Sequence, residues 1–367
     1  MEPVTHLLTG ACLARAGFNR KAAYATLAMT LAAEVPDLDV LWSVKGPLAG
    51  FQHHRGITHT FLGLPFDGIL ILAVVWLYHR WRLRRGDPTR ASTSRPSTAA
   101  PLRWPLLYLF ILVALLSHLF LDWTNNYGLR PFFPFNPRWY AGSFVFIFEP
   151  LLWVFLLGGL LAPALFGLIN SEVGARRPAF RGRGWAIAAL VACTVLWGLR
   201  FYQHAQALTL AEDATYTIPA DPLDPSTALS PQVLRVFASP YPLNPFRWAT
   251  VAETPRTYQL GDASTFSGTL TTRAEADTIY KPPTTVATLV AKRSWLGEVY
   301  LDWSLWPLVT DTGTDPDGNT TVTFHDLRFM YNTSVIRGRE DPPLSGSALI
   351  NADHRVVSMS MDDRTQH

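Results

Sequence analysis

The sequence predicts an α-helical membrane domain, a helical hairpin plus four transmembrane helices, followed by a mainly β extracytoplasmic domain. Three observations lead there. The 367 residues are 49% hydrophobic and only 16% charged, an apolar balance for a water-soluble chain. The long apolar runs fall before about residue 201, whereas 202–367 are rich in Thr, Pro, Asp and Trp and hold no run long enough to span a bilayer. Arginines gather in two loops between apolar runs, where they report topology. The expected domains are a membrane-embedded domain over 1–201, a linker over 202–215, an extracytoplasmic β-rich domain over 216–340 and a polar tail over 341–367.

Residues 4–16 and 22–35 each read as helical and are separated by Gly17-Phe18-Asn19-Arg20-Lys21, a turn with a basic tip. Segments 60–81, 104–123, 144–169 and 184–201 meet the length criterion for a span. The N-terminus has no basic stretch ahead of an apolar one, so no cleaved signal peptide is expected and His6 stays in the mature chain. Arg80, Arg82, Arg84, Arg85, Arg90, Arg95 and Arg103 crowd one loop, and Arg176, Arg177, Arg181 and Arg183 another. Two spans separate these loops, so both lie inside. That topology brings His6, Asp37, Asp39, the 53–59 segment, Asp122 and everything after about 201 to the outer face.

Short strands are expected at 216–218, 233–237, 257–260, 284–290, 298–303 and 320–324, divided by turns such as Asp315-Pro316-Asp317-Gly318-Asn319. Trp295, Trp303 and Trp306 read as core of that sheet domain, with a carbohydrate- or lipid-facing platform as the alternative. The net charge of +3 and the absence of a DNA-binding motif argue against nucleic acid as a partner. Cys12 and Cys193 both fall in apolar stretches, which excludes a thiolate metal site or a disulfide framework.

The chemistry-bearing residues are imidazoles and carboxylates set in or beside apolar sequence. Ionisable groups are costly at membrane depth, and one bound cation would serve several of them together. His118 and Asp122 stand four apart and share a helix face; a capping acid beside an interfacial histidine is the alternative. His53, His54, Arg55 and His59 precede an apolar run, either as a polar collar or with His59 as a ligand and Arg55 facing an anion. Asp37 and Asp39 follow Pro36 beside Glu34, as a turn or as carboxylates awaiting a cation. Glu149 reads as an interfacial acid, a ligand or a general base.

These residues carry a resemblance over roughly 1–170. Pro3-Val4-Thr5-His6, Pro36-Asp37-Leu38-Asp39, His54-Arg55-Gly56-Ile57-Thr58-His59 and Ser117-His118 through Asp122 with Tyr127-Gly128 resemble the bacterial membrane-bound metal-dependent hydrolases linked to LexA regulation. More distantly, the order is similar to the zinc-dependent phospholipase C and P1 nuclease group, which implies His6, Asp37 or Asp39, His59, His118, Asp122 and Glu149 as ligands. Asn125 and Asn126 stand where that group has a further histidine, so one or two ions are expected, not three.

The resulting expectation is a zinc-type, metal-dependent hydrolase of the bacterial inner membrane. It would act at the outer face on phosphoester or other lipid-linked bonds, with a membrane lipid or lipid-linked substrate, Asp39 or Glu149 as base, and Arg55 steadying developing charge. The alternative is a non-catalytic membrane scaffold with a structural ion and a partner-binding β-domain. A transporter is disfavoured, because the ionisable groups gather at one face and no repeat halves are visible.

Overall fold

The first helix begins where the sequence supplies a cap: the Glu2 carboxylate accepts from the Thr5 amide at 2.7 Å, and Pro3 starts α1 (Pro3–Arg15). The computed structural model describes residues 1–85, 100–172, 182–217, 230–272, 277–331, 342–362 and 364–366, with the side chains of 167–172 excepted. These residues divide into two units, Met1–Asp39 with Arg55–Gly198, and Val40–His54 with Leu199–His367.

The first unit is helical. After α1 the chain turns through 17–24 into α2 (Ala25–Ala32), which gives the expected hairpin. Its two helices approach closely because small residues line them: Ala14, Ala25, Ala28 and Ala32 are buried, and a Cβ on Gly10 would stand 2.5 Å from the Met29 carbonyl oxygen. Next come α4 (Leu64–Arg84), α5 (Trp104–Thr124), α6 (Pro150–Glu172) and α7 (Arg183–Glu212), whose first half belongs here. Leu107, Ile111, Ala114 and Leu115 of α5 are fully buried in this core. Along α6, Leu156 accepts from the Cys12 thiol at 3.5 Å and Leu160 from Arg15 at 2.9 Å, which ties α6 to α1.

Among the described residues, α5 and α7 are each long and apolar enough to cross a membrane. Residues 47–84, taken as one broken span, make a third candidate, and Pro150–Phe166 is a shorter apolar stretch. The structure therefore supports two to three spans where the sequence suggests four. Arg80, Arg82 and Arg84 truncate the apolar window of α4. Arg90, Arg95, Arg176, Arg177 and Arg181, on which the inside assignment partly rests, lie outside the described residues.

The second unit is built on two antiparallel sheets. One has the order β1-β2-β3-β4 with β5 also on β3; the other runs β10-β9-β8-β7-β6. The strands are β1 (Arg235–Pro240), β2 (Arg247–Glu253), β3 (Thr257–Ser264), β4 (Thr269–Thr271), β5 (Thr278–Tyr280), β6 (Pro307–Thr314), β7 (Thr320–Asp326), β8 (Gly346–Ile350), β9 (Val356–Met361) and β10 (Arg364–Gln366). The second half of α7 belongs to this unit, where Arg200 reaches the Tyr241 carbonyl at 3.2 Å and His204 the Ala238 carbonyl at 3.1 Å. So does Val40–His54, containing α3 (Pro47–His53), which leaves the helical unit after Asp39 and returns at Arg55. Its Phe51 ring lies 5.1 Å from that of Trp303, and Gln52 accepts from the Trp295 indole at 3.1 Å.

Five sequence expectations change here. Residues 284–290 and 298–303, expected as strands, are helical, in α8 (Val286–Lys292) and α9 (Trp295–Trp303). Thr285 and Thr288 form a capping box and Ser294 caps α9, while Leu296, Tyr300 and Trp303 are buried at helical spacing, and these outweigh the β-branched composition. Tyr216 and Thr217 form no strand, and Ile218 lies outside the described residues. Residues 202–212, expected as linker, continue α7, and the tail expected after 341 supplies β8, β9 and β10, whose alternating burial over 346–350 is the mark of a strand with one face inward. Trp303 and Trp306 are buried, as a core role requires, and Trp295 is half-buried.

Gly10→Val tests the close α1–α2 approach. Its side chain would meet the Met29 carbonyl, so the variant is expected to lose about 1–3 kcal/mol of stability and to melt earlier in detergent.

Candidate metal centre

Three helical segments of the first unit bring the candidate ligands together. His118 and Asp122 project one turn apart from α5, Asp37 and Asp39 from the 3-10 turn after α2, and His59 from the short turn 57–59 ahead of α4. Asp37, His59, His118 and Asp122 each offer a ligand atom, and these atoms lie within 4.8 Å of one another. His59, His118 and Asp122 are fully buried. The His59 and His118 Nε2 atoms face each other at 3.0 Å, and each is 3.3 Å from Asp122 Oδ2. Asp37 Oδ1 is 3.2 Å from His59 Nε2 and 3.7 Å from His118 Nε2.

The far side of each imidazole is already engaged. His118 Nδ1 stands 2.7 Å from the Ala33 carbonyl oxygen, which accepts its proton and leaves Nε2 with a lone pair directed inward. His59 Nδ1 lies 3.2 Å from Asp39 Oδ2 and 3.1 Å from the Thr58 hydroxyl, which itself donates to the Pro36 carbonyl at 3.0 Å. Asp39, expected as a ligand and base, thus faces the outer nitrogen of His59, where a carboxylate orients a metal-binding imidazole.

Arg55 has a role the sequence did not suggest. Its guanidinium is buried, donating to Asp122 Oδ1 at 2.8 Å, to the Gly128 carbonyl at 2.7 Å and to Asn125 Oδ1 at 3.3 Å, and it lies over the Tyr127 ring at 4.7 Å. It pins Asp122. Gly128 is required at its position: its φ is +78°, and a Cβ there would stand 2.8 Å from the Tyr140 carbonyl oxygen. Arg55 itself has a φ of 54°, and its backbone N–H donates to Asp39 Oδ2 at 2.7 Å.

His6 stacks on His118 with ring centroids 3.8 Å apart, and its Nε2 is 3.4 Å from Asp122 Oδ1. Burial above all, reinforced by His118 and the α-amino group, drives its pKa down to about 3, so the ring is neutral and available as a donor. The Met1 amino group also donates to Asp122 Oδ1. Asp37 is held below the usual carboxylate range: burial opposes this, but the His59 hydrogen bond and the nearby imidazoles outweigh it. Glu149 is fully buried at the head of α6 and is not among the four converging groups. His53, in the second unit, stacks on Trp42 at 4.0 Å.

A cation fits this donor set. Among the described residues, neither ring nitrogen of His6 nor Asp122 Oδ2 has a hydrogen-bond partner, although all are buried, and such orphaned atoms are rare in folded proteins. Asp37, Asp39 and Asp122 gather three carboxylates on the imidazoles of His59 and His118, a set of oxygen and nitrogen donors that suits a divalent ion. Sequence reasoning passed over Glu34 except as a crowding acid. Burial and then Asp37 raise its pKa to about 8, and its buried Oε2 has no hydrogen-bond partner among the described residues, so it holds a proton beside the cluster at neutral pH.

Comparison with known proteins bears on this unit. The family model described as YdjM inner membrane protein matches residues 1–207. The uncharacterized protein YfhP of Bacillus subtilis is 25% identical over 162 residues, a stretch covering 42% of this chain and 43% of that protein, so less than half of each is aligned. No solved structure matches. The LexA-linked resemblance agrees with the matching family, while the more distant one to the phospholipase C and P1 nuclease group finds no support in these comparisons.

Two predictions follow from the geometry. Asp39→Asn keeps the four converging side chains but weakens the acceptor for His59, and it is expected to lower divalent-metal affinity about 10–100-fold in chelator competition. Glu34 supplies a pH signature in chelator-treated protein. Its native pKa of about 8 stands above the unfolded value of 4.5, so the native state binds more protons between these limits and stability falls as pH rises through them. Glu34→Gln is expected to flatten that fall, read as melting temperature against pH.

Proposed function

The chain belongs to the YdjM inner membrane protein family, and from that membership and the buried cluster we propose a metal-dependent hydrolase acting on phosphoester or other lipid-linked bonds. The observation that carries the reading is the convergence of two imidazole Nε2 atoms and two carboxylates, with the outer nitrogen of each ring already hydrogen-bonded. Ligand sets with their supporting shell in place characterise metal sites more than polar collars. Asp37, His59, His118 and Asp122 would hold the ion, with His6 beside them. Zinc suits this mixture of nitrogen and oxygen donors, and when bound it supplies Lewis acidity and an acidified water.

The residues of the chain divide the remaining work. Arg55 holds Asp122, Asp39 holds the His59 tautomer, and α1 and α2 keep water from the rear of the site. Glu34, protonated to about pH 8, can take or give a proton at Oε2, which makes it the preferred acid–base group over Asp39 and Glu149. The proposal retains a multi-pass topology with four spans, and it keeps the cluster and the residues after α7 on the extracytoplasmic side, supported by the arginine-rich loops.

The test uses full-length protein purified in detergent, its metal content measured by mass spectrometry, with bis(p-nitrophenyl) phosphate and phospholipid vesicles as substrates. Turnover is expected to disappear on chelation, to return with zinc, and to fall more than about 100-fold in Asp122→Asn, beyond the loss typical of a supporting residue. Protein without bound divalent metal, or an Asp122→Asn variant with undiminished turnover, would overturn the reading. Tightly bound metal with no hydrolysis of either substrate would favour a scaffold with a structural ion.

A further inference from the structure

Beside the cluster, on the helix that carries two of its members, lies an apolar cavity of about 320 Å³. Its walls include Phe61, Leu119, Trp123, Leu129, Phe132 and Tyr140. Leu119 and Trp123 each follow a cluster residue directly, His118 and Asp122, and Phe61 stands two residues beyond His59. One residue along a helix is about 100° around its axis, so the cavity lies round the side of α5 from the ligands, at the same depth along it. The volume is at the lower end of the roughly 300–1,000 Å³ usual for small-molecule sites.

The last turns of α5 end a candidate membrane span, and Phe61, Phe120 and Phe132 are exposed apolar side chains at the cavity. An α5 that crosses the bilayer would present these side chains to lipid. The loop closing the cavity, residues 129–140, contains Arg130 and Arg138, five aromatic residues and no acid, which is the composition of a segment at the headgroup level of a bilayer. The exposed Arg138 guanidinium stands over the Tyr140 ring at 5.6 Å, and Asn136 donates to the Tyr140 hydroxyl at 3.3 Å. A cation is thus held at the rim of an apolar cavity whose far wall adjoins a cation-seeking carboxylate cluster.

We infer that this cavity is a phospholipid site, taking one acyl chain between α5 and the 129–140 loop, with the lipid phosphate against Arg138. The inference rests on the hydrolase reading only for the identification of this lipid as the substrate; binding itself needs no metal. It narrows the substrate class to lipids with at least one chain and a phosphate, because an uncharged chain would leave Arg138 without a counter-ion and a water-soluble phosphodiester would leave the cavity unfilled.

The test is photo-cross-linking in nanodiscs with phosphatidylglycerol carrying a diazirine in one acyl chain, using full-length protein with and without chelator and mapping labelled peptides by mass spectrometry. Labelling of 116–123 and 129–140 is expected to exceed that of the exposed residues Val191 and Val195 on α7 by about tenfold, a difference in affinity of about 1.4 kcal/mol. It should persist under chelation, which separates this site from the metal chemistry. Arg138→Glu, an exposed change that spares the core, should reduce labelling towards the α7 level, and Leu116→Trp at the half-exposed mouth should do so by occupying the space. Labelling that simply follows exposure along both helices, unchanged in the two variants, would mean bulk lipid only and would overturn the proposal.

Discussion

A carboxylate with no exposure to water, on an apolar helix, must be neutralised by groups the fold brings to it, and Asp122 imposes that requirement on the first unit. Arg55 answers it on one oxygen and the imidazoles of His59 and His118 lie against the other. They come from two stretches of chain, Arg55 and His59 from the segment ahead of α4 and His118 from α5 itself, one turn before Asp122. Arg55 can reach Asp122 only where Gly128 permits its carbonyl to turn inward, and His118 keeps its orientation only because α2 ends with the Ala33 carbonyl beside it. The alanine-lined contact between α1 and α2 is therefore part of the site, since a bulkier interface would withdraw both His6 and that carbonyl from α5.

How much of this the sequence disclosed depended on whether the signal was local. The i, i+4 pair His118 and Asp122 was legible because helix geometry turns spacing into a shared face, and the histidine and aspartate motifs pointed to a cation before any distances were known. The division of labour between Asp37 and Asp39 was not. Two carboxylates two residues apart look equivalent in sequence, and only the turn after Pro36 separates them, sending Asp37 to the inner nitrogen of His59 and Asp39 to the outer one. The partners of the Arg55 guanidinium were equally hidden, because Asp122, Asn125 and Gly128 lie about seventy positions away in sequence.

The second unit shows the same limit in another form. Residues 284–290 are rich in Thr and Val, which favours a strand, yet the capping box at Thr285 and Thr288 and the buried face of Ala287 and Ala291 decide for helix. Strand β2 escaped notice because its burial pattern is nearly continuous over 248–252, without the alternation that marks a half-exposed strand. The excursion over Val40–His54 carries no compositional mark; it is recognised only by what it packs against, Trp295, Tyr300 and Trp303.

That excursion sharpens the role of Asp39. A stretch of chain inserted between two parts of one site must leave and return at fixed points, or its own fluctuations would blur the site's geometry. It leaves after Asp39 and returns at Arg55, and the Arg55 amide donates to the Asp39 carboxylate, closing the neck with one hydrogen bond. The left-handed backbone at Arg55 costs on the order of 1–3 kcal/mol for a residue with a side chain, and it persists because the amide and the guanidinium of the same residue are both anchored. Asp39 thus fixes the neck with one interaction and the His59 ring with another. Its carboxylate is the point at which the local backbone geometry of the turn and the chemistry of the metal centre become a single constraint, which explains why an acid that need not touch the ion stands only two residues from one that would.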